Sequence, residues 1–244
     1  MEIPGPKFRS DMTVKLVQSM GDDMSVVEAA RVSTNLTAEM LRERGGSHVL
    51  SDKDAGLINY LMRDRHGTPF EHNAFTFFIE APIFVFREFM RHRIASYNEE
   101  SGRYKKLEPV FYVPTEDRGL IQSGKPGAYE FYQGSNNQWL TVRQETIDVN
   151  RKAYEAYENM LDAGIAREVA RGVLPVNLYS SMFVTMNARA LMNFLSLRTK
   201  REDTHFPSFP QREIEMVAEG MEEIFAEIMP VTYETFNKNG RVAP

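Results

Sequence analysis

Within thirteen residues, from Arg91 to Arg103, the chain sets Arg91, His92, Arg93, Ser96, Asn98, Glu99, Ser101 and Arg103. Residues of these types at this density could hold an anion. A guanidinium fork meets phosphate or carboxylate oxygens with two hydrogen bonds at once, and hydroxyl and amide groups complete a polar cradle. Residues 87–106 carry six Lys/Arg against three Asp/Glu, whereas the 244-residue chain has a formal net charge of −5. A basic patch in an acidic protein points to a small anionic ligand such as a nucleotide phosphate. The acidic balance speaks against broad nucleic-acid binding, which draws on an excess of Lys/Arg along one surface. Arg91 and Arg93 could also do no more than complement the negative end of a preceding helix. The density of the set favours the anion site. Glu99 in its middle would bind a sugar hydroxyl or hold an arginine in place.

What the chain lacks is equally informative. It has no cysteine, which removes disulfides, zinc–thiolate sites, iron–sulfur clusters and every thiol nucleophile. Ser101 as a nucleophile would need a base within reach, oriented by a third group. His92 is the available base, and the spacing does not establish the pair, so Ser101 reads as a phosphate or sugar contact. No pair among His66, Glu71, His72, His92 and His205 has the spacing of a helical zinc motif, so no metal is expected. His72 reads as a turn or core histidine satisfied by a backbone carbonyl.

These residues need elements to hold them. A composition of 42% hydrophobic and 26% charged residues fits one large globular domain or two intimately packed ones. Residues 12–18 read as a strand, and Ser25-Val26-Val27-Glu28 as a capping box opening a helix over about 26–33. Ser51 or Asp52 caps the next helix, with Leu57, Leu61 and Met62 on one face. His66-Gly67 ends it, Gly67 supplying a left-handed cap, and Thr68–His72 is a turn. Residues 73–80 form a strand, and Pro82 opens a helix running to about Arg91. Residues 108–113 are extended, and 115–136 form an irregular surface excursion. Helices follow over about 138–162 and 166–172. A strand over 177–186 leads to a helix capped by Asn187 and running through Leu197. The last helix spans about 211–229, with Glu213, Glu215, Glu219, Glu222, Glu223 and Glu227 on its wet side. Met182, Met186, Met192 and the phenylalanines from Phe75 to Phe89 read as core. The whole predicts an α+β fold with a mixed or antiparallel sheet flanked by long helices. The amino-terminal stretch from Met1 to Lys7 has no apolar core for a secretory signal. The run Ala74–Phe86, broken by Glu80 and Pro82, is too short to span a bilayer. The protein is therefore read as soluble and cytoplasmic, with no membrane partner.

The segment Arg91-His92-Arg93, Ser96, Asn98-Glu99, Ser101 and Arg103 resembles the signature of the flavin-dependent thymidylate synthases. The resemblance continues in His66–His72, in Arg167–Pro175 and in Asn187–Arg198. It covers about residues 50–112 and 145–230, and implies one domain of that fold over residues 1–244. By resemblance, Arg91, His92, Arg93 and Glu99 line an FAD site together with His66, Thr68, Asn187, Arg189 and Asn193. Arg91, Glu99, Glu100, Ser101, Gly102, Arg103 and Arg171 hold the nucleotide dUMP, and Arg198 faces its uracil ring as the catalytic group. The family implies a homotetramer whose sites combine residues of several subunits. It also implies NADPH as reductant and 5,10-methylenetetrahydrofolate as carbon donor.

The missing thiol supports this reading. Carbon 5 of uracil must be activated before it accepts a one-carbon unit. Thiolate addition at carbon 6 is closed to this chain. A fixed arginine that favours the ring deprotonated at N3 raises its electron density instead. There are departures from the family pattern. Glu88 stands where relatives usually carry a nucleotide-contacting glutamine, and Glu100 where they often carry an apolar residue or glutamine. The turn from Thr199 to Pro210, with His205, is longer than usual. Two rival readings are a non-catalytic nucleotide- or RNA-binding module and a flavoenzyme with another acceptor.

Overall fold

The computed structural model describes residues 5–34, 36–37 and 50–244; residues 1–4 of the amino-terminal stretch read above lie outside them. The chain runs β1 (Lys7–Arg9), β2 (Thr13–Met20), α1 (Asp23–Arg31), α2 (Asp52–Arg63), β3 (Ala74–Pro82), α3 (Ile83–Phe89), β4 (Ser96–Glu99) and β5 (Val110–Tyr112). It continues through β6 (Gly119–Lys125), β7 (Ala128–Gln133), α4 (Asn136–Asp162), α5 (Arg167–Ala170), β8 (Tyr179–Met186), α6 (Ala188–Arg198), α7 (Arg212–Ile228) and α8 (Pro230–Lys238). A four-stranded sheet has the order β2-β3-β8-β4. The strands β1 and β5 form a parallel pair, and β6 and β7 an antiparallel one. This is the α+β class expected from the sequence. No helix among the described residues is long and apolar enough to cross a membrane.

Two compact units share the chain. The first comprises Met1–Met12, Glu80–Phe89 and Glu99–Met182; the second comprises Thr13–Ile79, Met90–Asn98 and Phe183–Pro244. In the first unit, Leu107, Phe111, Tyr154, Tyr157, Ala170 and Leu178 form one buried cluster. Two tyrosines one helical turn apart on α4 reach the backbone of Leu107. Its carbonyl accepts from the Tyr154 hydroxyl at 3.0 Å, and its N–H donates to the Tyr157 hydroxyl oxygen at 3.2 Å. That clamp lies four residues beyond Arg103. Buried backbone groups of a loop need such partners, so the anchoring of this loop is a direct product of α4.

The second unit is built on α7. Its buried Ile214, Val217, Ala218, Met221 and Phe225 recur at helical spacing, and the helix packs against β2, α6 and α8. On β3 the alternating residues Phe75, Phe77 and Ile79 are fully buried, as a strand with one covered face requires. Phe75 meets Phe225 edge-on, with ring centroids 5.9 Å apart. The start of α6 is capped twice. Asn187 Oδ1 accepts from the Ala190 N–H at 2.9 Å, and Asn73 Oδ1 accepts from the Ala188 N–H at 2.6 Å. Two of the four orphan donors of that helix end are thereby satisfied.

Several local expectations are corrected. The box opening α1 is Asp22 with Ser25 at its third position, not Ser25 with Glu28. Ile58 rather than Leu57 joins Leu61 and Met62 in the core. Pro82 ends β3 instead of opening α3. The left-handed residue after α2 is Arg65, at φ 62°, while Gly67 has φ −74°. Gly67 is needed for space: a Cβ there would lie 2.6 Å from Arg189 and 2.8 Å from the Pro244 carbonyl oxygen. Residues 119–133 form a hairpin about a Pro126-Gly127 turn, with Gly127 at φ 85°, in place of the irregular excursion expected. A final helix, α8, starts at Pro230, which sits at its first turn where its missing N–H costs nothing. Glu213 and Glu222 are 4% and 3% exposed, so the last long helix has no uniformly wet acidic side. Of the two readings of His72, turn or core, the first holds: it is exposed and follows directly on the short turn Thr68–Glu71.

Candidate active-site residues in two units

In the second unit the loop after α3 and the carboxyl end of α6 meet at His92. Phe194 and Arg198, four residues apart on α6, share one helix face. The Phe194 ring stands edge-on to the imidazole with centroids 4.9 Å apart. Arg198 donates its Nε–H to His92 Nε2 at 3.1 Å. An imidazole nitrogen that accepts a hydrogen bond carries no proton, so the ring holds its proton on Nδ1. Burial, and then the Arg198 charge, push the His92 pKa down from 6.5 to about 4. Both influences act against the imidazolium. The Tyr97 hydroxyl donates to the His92 carbonyl, which closes the loop on itself. Burial pushes the Tyr97 phenol up to about 12, so it stays a donor.

Around this contact the second unit places two exposed cations, Arg91 and Arg93, which form no ion pair among the described residues. Exposed Asn193 lies on α6, and exposed Thr68 opens the short turn Thr68–Glu71, which packs against that helix. His66 is exposed and meets the Tyr60 ring edge-on at 5.5 Å. Two residues expected at the same site have structural engagements. Asn187 uses its amide oxygen as the helix cap. Arg189 is held by Glu71 and by the Pro244 carbonyl.

The first unit holds the other set. Ser101, Gly102 and Arg103 follow the end of β4, and the turn carrying Arg171 reaches them. A Cβ on Gly102 would lie 2.8 Å from Leu107 Cδ1 and 3.2 Å from Arg171 Cδ. Glycine at 102 therefore lets the arginine lie against the loop backbone. Arg103 is oriented by Glu168 of α5, whose carboxylate accepts from its Nε at 2.8 Å. The Ser101 hydroxyl oxygen accepts from the Arg103 N–H at 3.3 Å. Glu100 is paired with Lys105 at 2.8 Å, and its N–H donates to the Ser181 carbonyl at 2.8 Å. Burial raises the pKa of Glu99, aided by neighbouring Glu100 and opposed by the Ser180 hydroxyl and the Arg87 charge. Glu88 is half-buried on α3.

The arrangement gives each unit its own chemistry. The second offers a preorganised guanidinium beside a neutral imidazole, flanked by two exposed arginines. The first offers two arginines, a hydroxyl and close-lying backbone, a donor set that fits a phosphate monoester. The exposed Arg91 and Arg93, with hydroxyl and amide groups nearby, fit the pyrophosphate of a dinucleotide cofactor. Sequence reasoning missed the residues that aim these groups: Glu168, Lys105, Tyr97 and Phe194. Glu168 and Phe194 lie within the resembling segments, but only the folded chain brings them to their partners. No three His, Asp or Glu residues cluster as a metal site among the described residues.

Comparison with known proteins agrees across nearly the whole chain. A family model described as "Thymidylate synthase complementing protein" matches residues 15–231. A flavin-dependent thymidylate synthase of Streptomyces avermitilis is 60% identical over 242 residues, covering 98% of this chain and 96% of that protein. One from Tropheryma whipplei is 56% identical over 239 residues, covering 98% of each. Among solved structures, the UMP/dUMP methylase PolB of Streptomyces cacaoi bound with 5-Br UMP superposes with a TM-score of 0.89. It is 51% identical and covers 99% of this chain and 100% of its own. The same enzyme bound with 5-Br dUMP gives the same TM-score at 52% identity.

Proposed function

Because the chain belongs to the flavin-dependent thymidylate synthases, we propose that it converts dUMP to dTMP by reductive methylation, with 5,10-methylenetetrahydrofolate as carbon donor and NADPH as the source of electrons. The observation that carries the mechanism is the hydrogen bond from Arg198 Nε to a neutral His92. It fixes the plane of the guanidinium before substrate arrives, and a preorganised cation costs no rearrangement as charge develops. Set against the uracil edge, that fixed cation favours the ring deprotonated at N3 and enriches carbon 5. The chain carries no cysteine, so this electrostatic activation stands in for a thiolate adduct.

Arg103, Arg171, Ser101 and the Gly102 backbone would bind the nucleotide phosphate and sugar, with Glu99, Glu100 and Glu88 beside them. Arg91, Arg93, His92, Thr68, His66 and Asn193 would hold FAD, with the unused amide of Asn187 and with Arg189. When bound, FAD would supply the hydride that completes the methyl group. Glu99 would bind a sugar hydroxyl or hold an arginine in place. Both units would serve as one functional domain, and a homotetramer would complete each site with residues of neighbouring subunits.

The purified protein should be yellow or take up added FAD, and should release tritium from carbon-5-labelled dUMP when folate donor and NADPH are present. A colourless protein that binds no FAD and releases no tritium contradicts the reading. NADPH oxidation indifferent to dUMP would favour a flavoenzyme with another acceptor.

A further inference from the structure

We infer that a buried network behind α6, formed by Glu222, Arg241 and Thr199, is a positioning device for Arg198. The inference rests on the reading that Arg198 faces the pyrimidine. Thr199 follows Arg198 directly and is 1% exposed. Every polar group it has is engaged. Its N–H and its hydroxyl both donate to the Leu195 carbonyl, at 3.0 and 2.7 Å. Its hydroxyl oxygen accepts from Arg241 Nη2 at 2.9 Å, and its carbonyl accepts from the Ser208 hydroxyl.

Arg241 is itself clamped. Its side chain is 4% exposed, lies over the Phe236 ring with its guanidinium carbon 4.9 Å from the centroid, and pairs with Glu222 at 2.7 Å. Its backbone takes φ 57°, a conformation that side-chain-bearing residues rarely adopt. Glu222 on α7 also holds Arg201 at 2.6 Å and accepts from the Tyr233 hydroxyl at 3.2 Å. Arg241 and Ser208 thus hold the residue that closes α6 directly, and Glu222 of α7 holds it through Arg241.

A buried ion pair is weak evidence for stability, since apolar residues of similar volume often serve as well. What apolar residues could not supply is a directional donor to the Thr199 hydroxyl. On the other side, His92 fixes the side chain of Arg198. The network fixes the backbone from which that side chain departs. Displacement of a catalytic group by about 1 Å can cost roughly 100-fold in rate, so a rigid backbone anchor has a use here beyond folding.

The experiment compares Thr199→Val, which is isosteric and lacks the hydroxyl, with Thr199→Ser, which keeps it, using the complete protein loaded with FAD. Thr199→Val should lower kcat for dUMP-dependent tritium release by at least tenfold. The KM for dUMP, the flavin spectrum and NADPH oxidation without dUMP should stay within about threefold. Thr199→Ser should recover most of the rate. Ser208→Ala, which releases the Thr199 carbonyl, should shift kcat in the same direction and keeps the test open if Thr199→Val does not fold. Equal kcat for the valine and serine variants would overturn the inference, as would parallel loss of methylation and NADPH oxidation. An Arg198→Ala control separates the two levels. If it methylates normally, the reading of Arg198 itself fails; if it is inactive while Thr199→Val and Ser208→Ala match wild type, only the network inference fails.

Discussion

At the scale of single residues, one hydrogen bond joins two groups that are both capable of positive charge, Arg198 and His92. Arg198 stays charged at any working pH, so His92 must be the neutral partner. Burial and the adjacent guanidinium place its pKa near 4. A histidine with a folded pKa below its unfolded value binds fewer protons folded than unfolded between the two values. It therefore costs nothing above about pH 6.5 and weakens the fold progressively as pH falls from there to about 4. NMR of ring-labelled histidine should show the His92 resonances unmoved between pH 8 and 5.5, with Nδ1 protonated; a titration midpoint between 6 and 7 would contradict the assignment. Arg198→Lys tests the fork separately from the charge. An ammonium cannot both donate to His92 and present a planar pair of donors, so kcat should fall by about 100-fold or more while flavin colour persists. The cationic residues themselves were legible in the sequence because their types and spacing are local. The groups that orient them, such as Glu168 for Arg103 at 65 residues' distance, were not, because nothing local marks a carboxylate as a partner.

At the scale of elements, the site depends on how ends of helices and strands are closed. Residue 187 was legible as a cap because asparagine ahead of an apolar helical run is a local signal. The second cap, Asn73, is 115 residues away from Ala188 and carries no such signal. No helix was expected beyond residue 229, yet Pro230, tolerated at a first turn, begins one. The hairpin over 119–133 was missed because its strands are mostly exposed and lack the alternating burial that marks a strand. The buried Glu213 and Glu222 were misread because helical periodicity reports an acidic face without showing what covers it. Gly102 tests the proposed nucleotide contacts of the first unit. Gly102→Ala pushes a Cβ against Arg171 Cδ and Leu107 Cδ1, and repacking around one added methyl costs about 1–3 kcal/mol. The KM for dUMP should rise roughly tenfold with the FAD content unchanged; an unchanged KM would show that Arg171 does not need this contact.

At the scale of the whole molecule, the residues proposed for the site divide between two compact units, each with its own core. The proposed homotetramer offers a further test, since each of its sites would draw on more than one subunit. Variants Arg171→Ala and Arg198→Ala, each inactive alone, should recover part of the wild-type activity when co-expressed and mixed in one oligomer. Recovery requires that the two residues of one site come from different chains; no recovery in a confirmed mixed tetramer would place both in the same subunit. Light scattering during size-exclusion chromatography would report the oligomer itself, and a monomer with full activity would remove the shared-site proposal.

The claim beneath all of this is that a fixed guanidinium, rather than a covalent bond, activates the pyrimidine. Its most direct measurement is the N3 ionisation of bound 5-fluoro-dUMP, followed by fluorine NMR as pH is varied, in wild type and in Arg198→Ala. A cation in contact lowers the pKa of a neighbouring acid by about 1–3 units. Ionisation should occur at least one unit lower on the wild-type protein than on Arg198→Ala, with flavin bound to both. Identical titrations in the two proteins would contradict it.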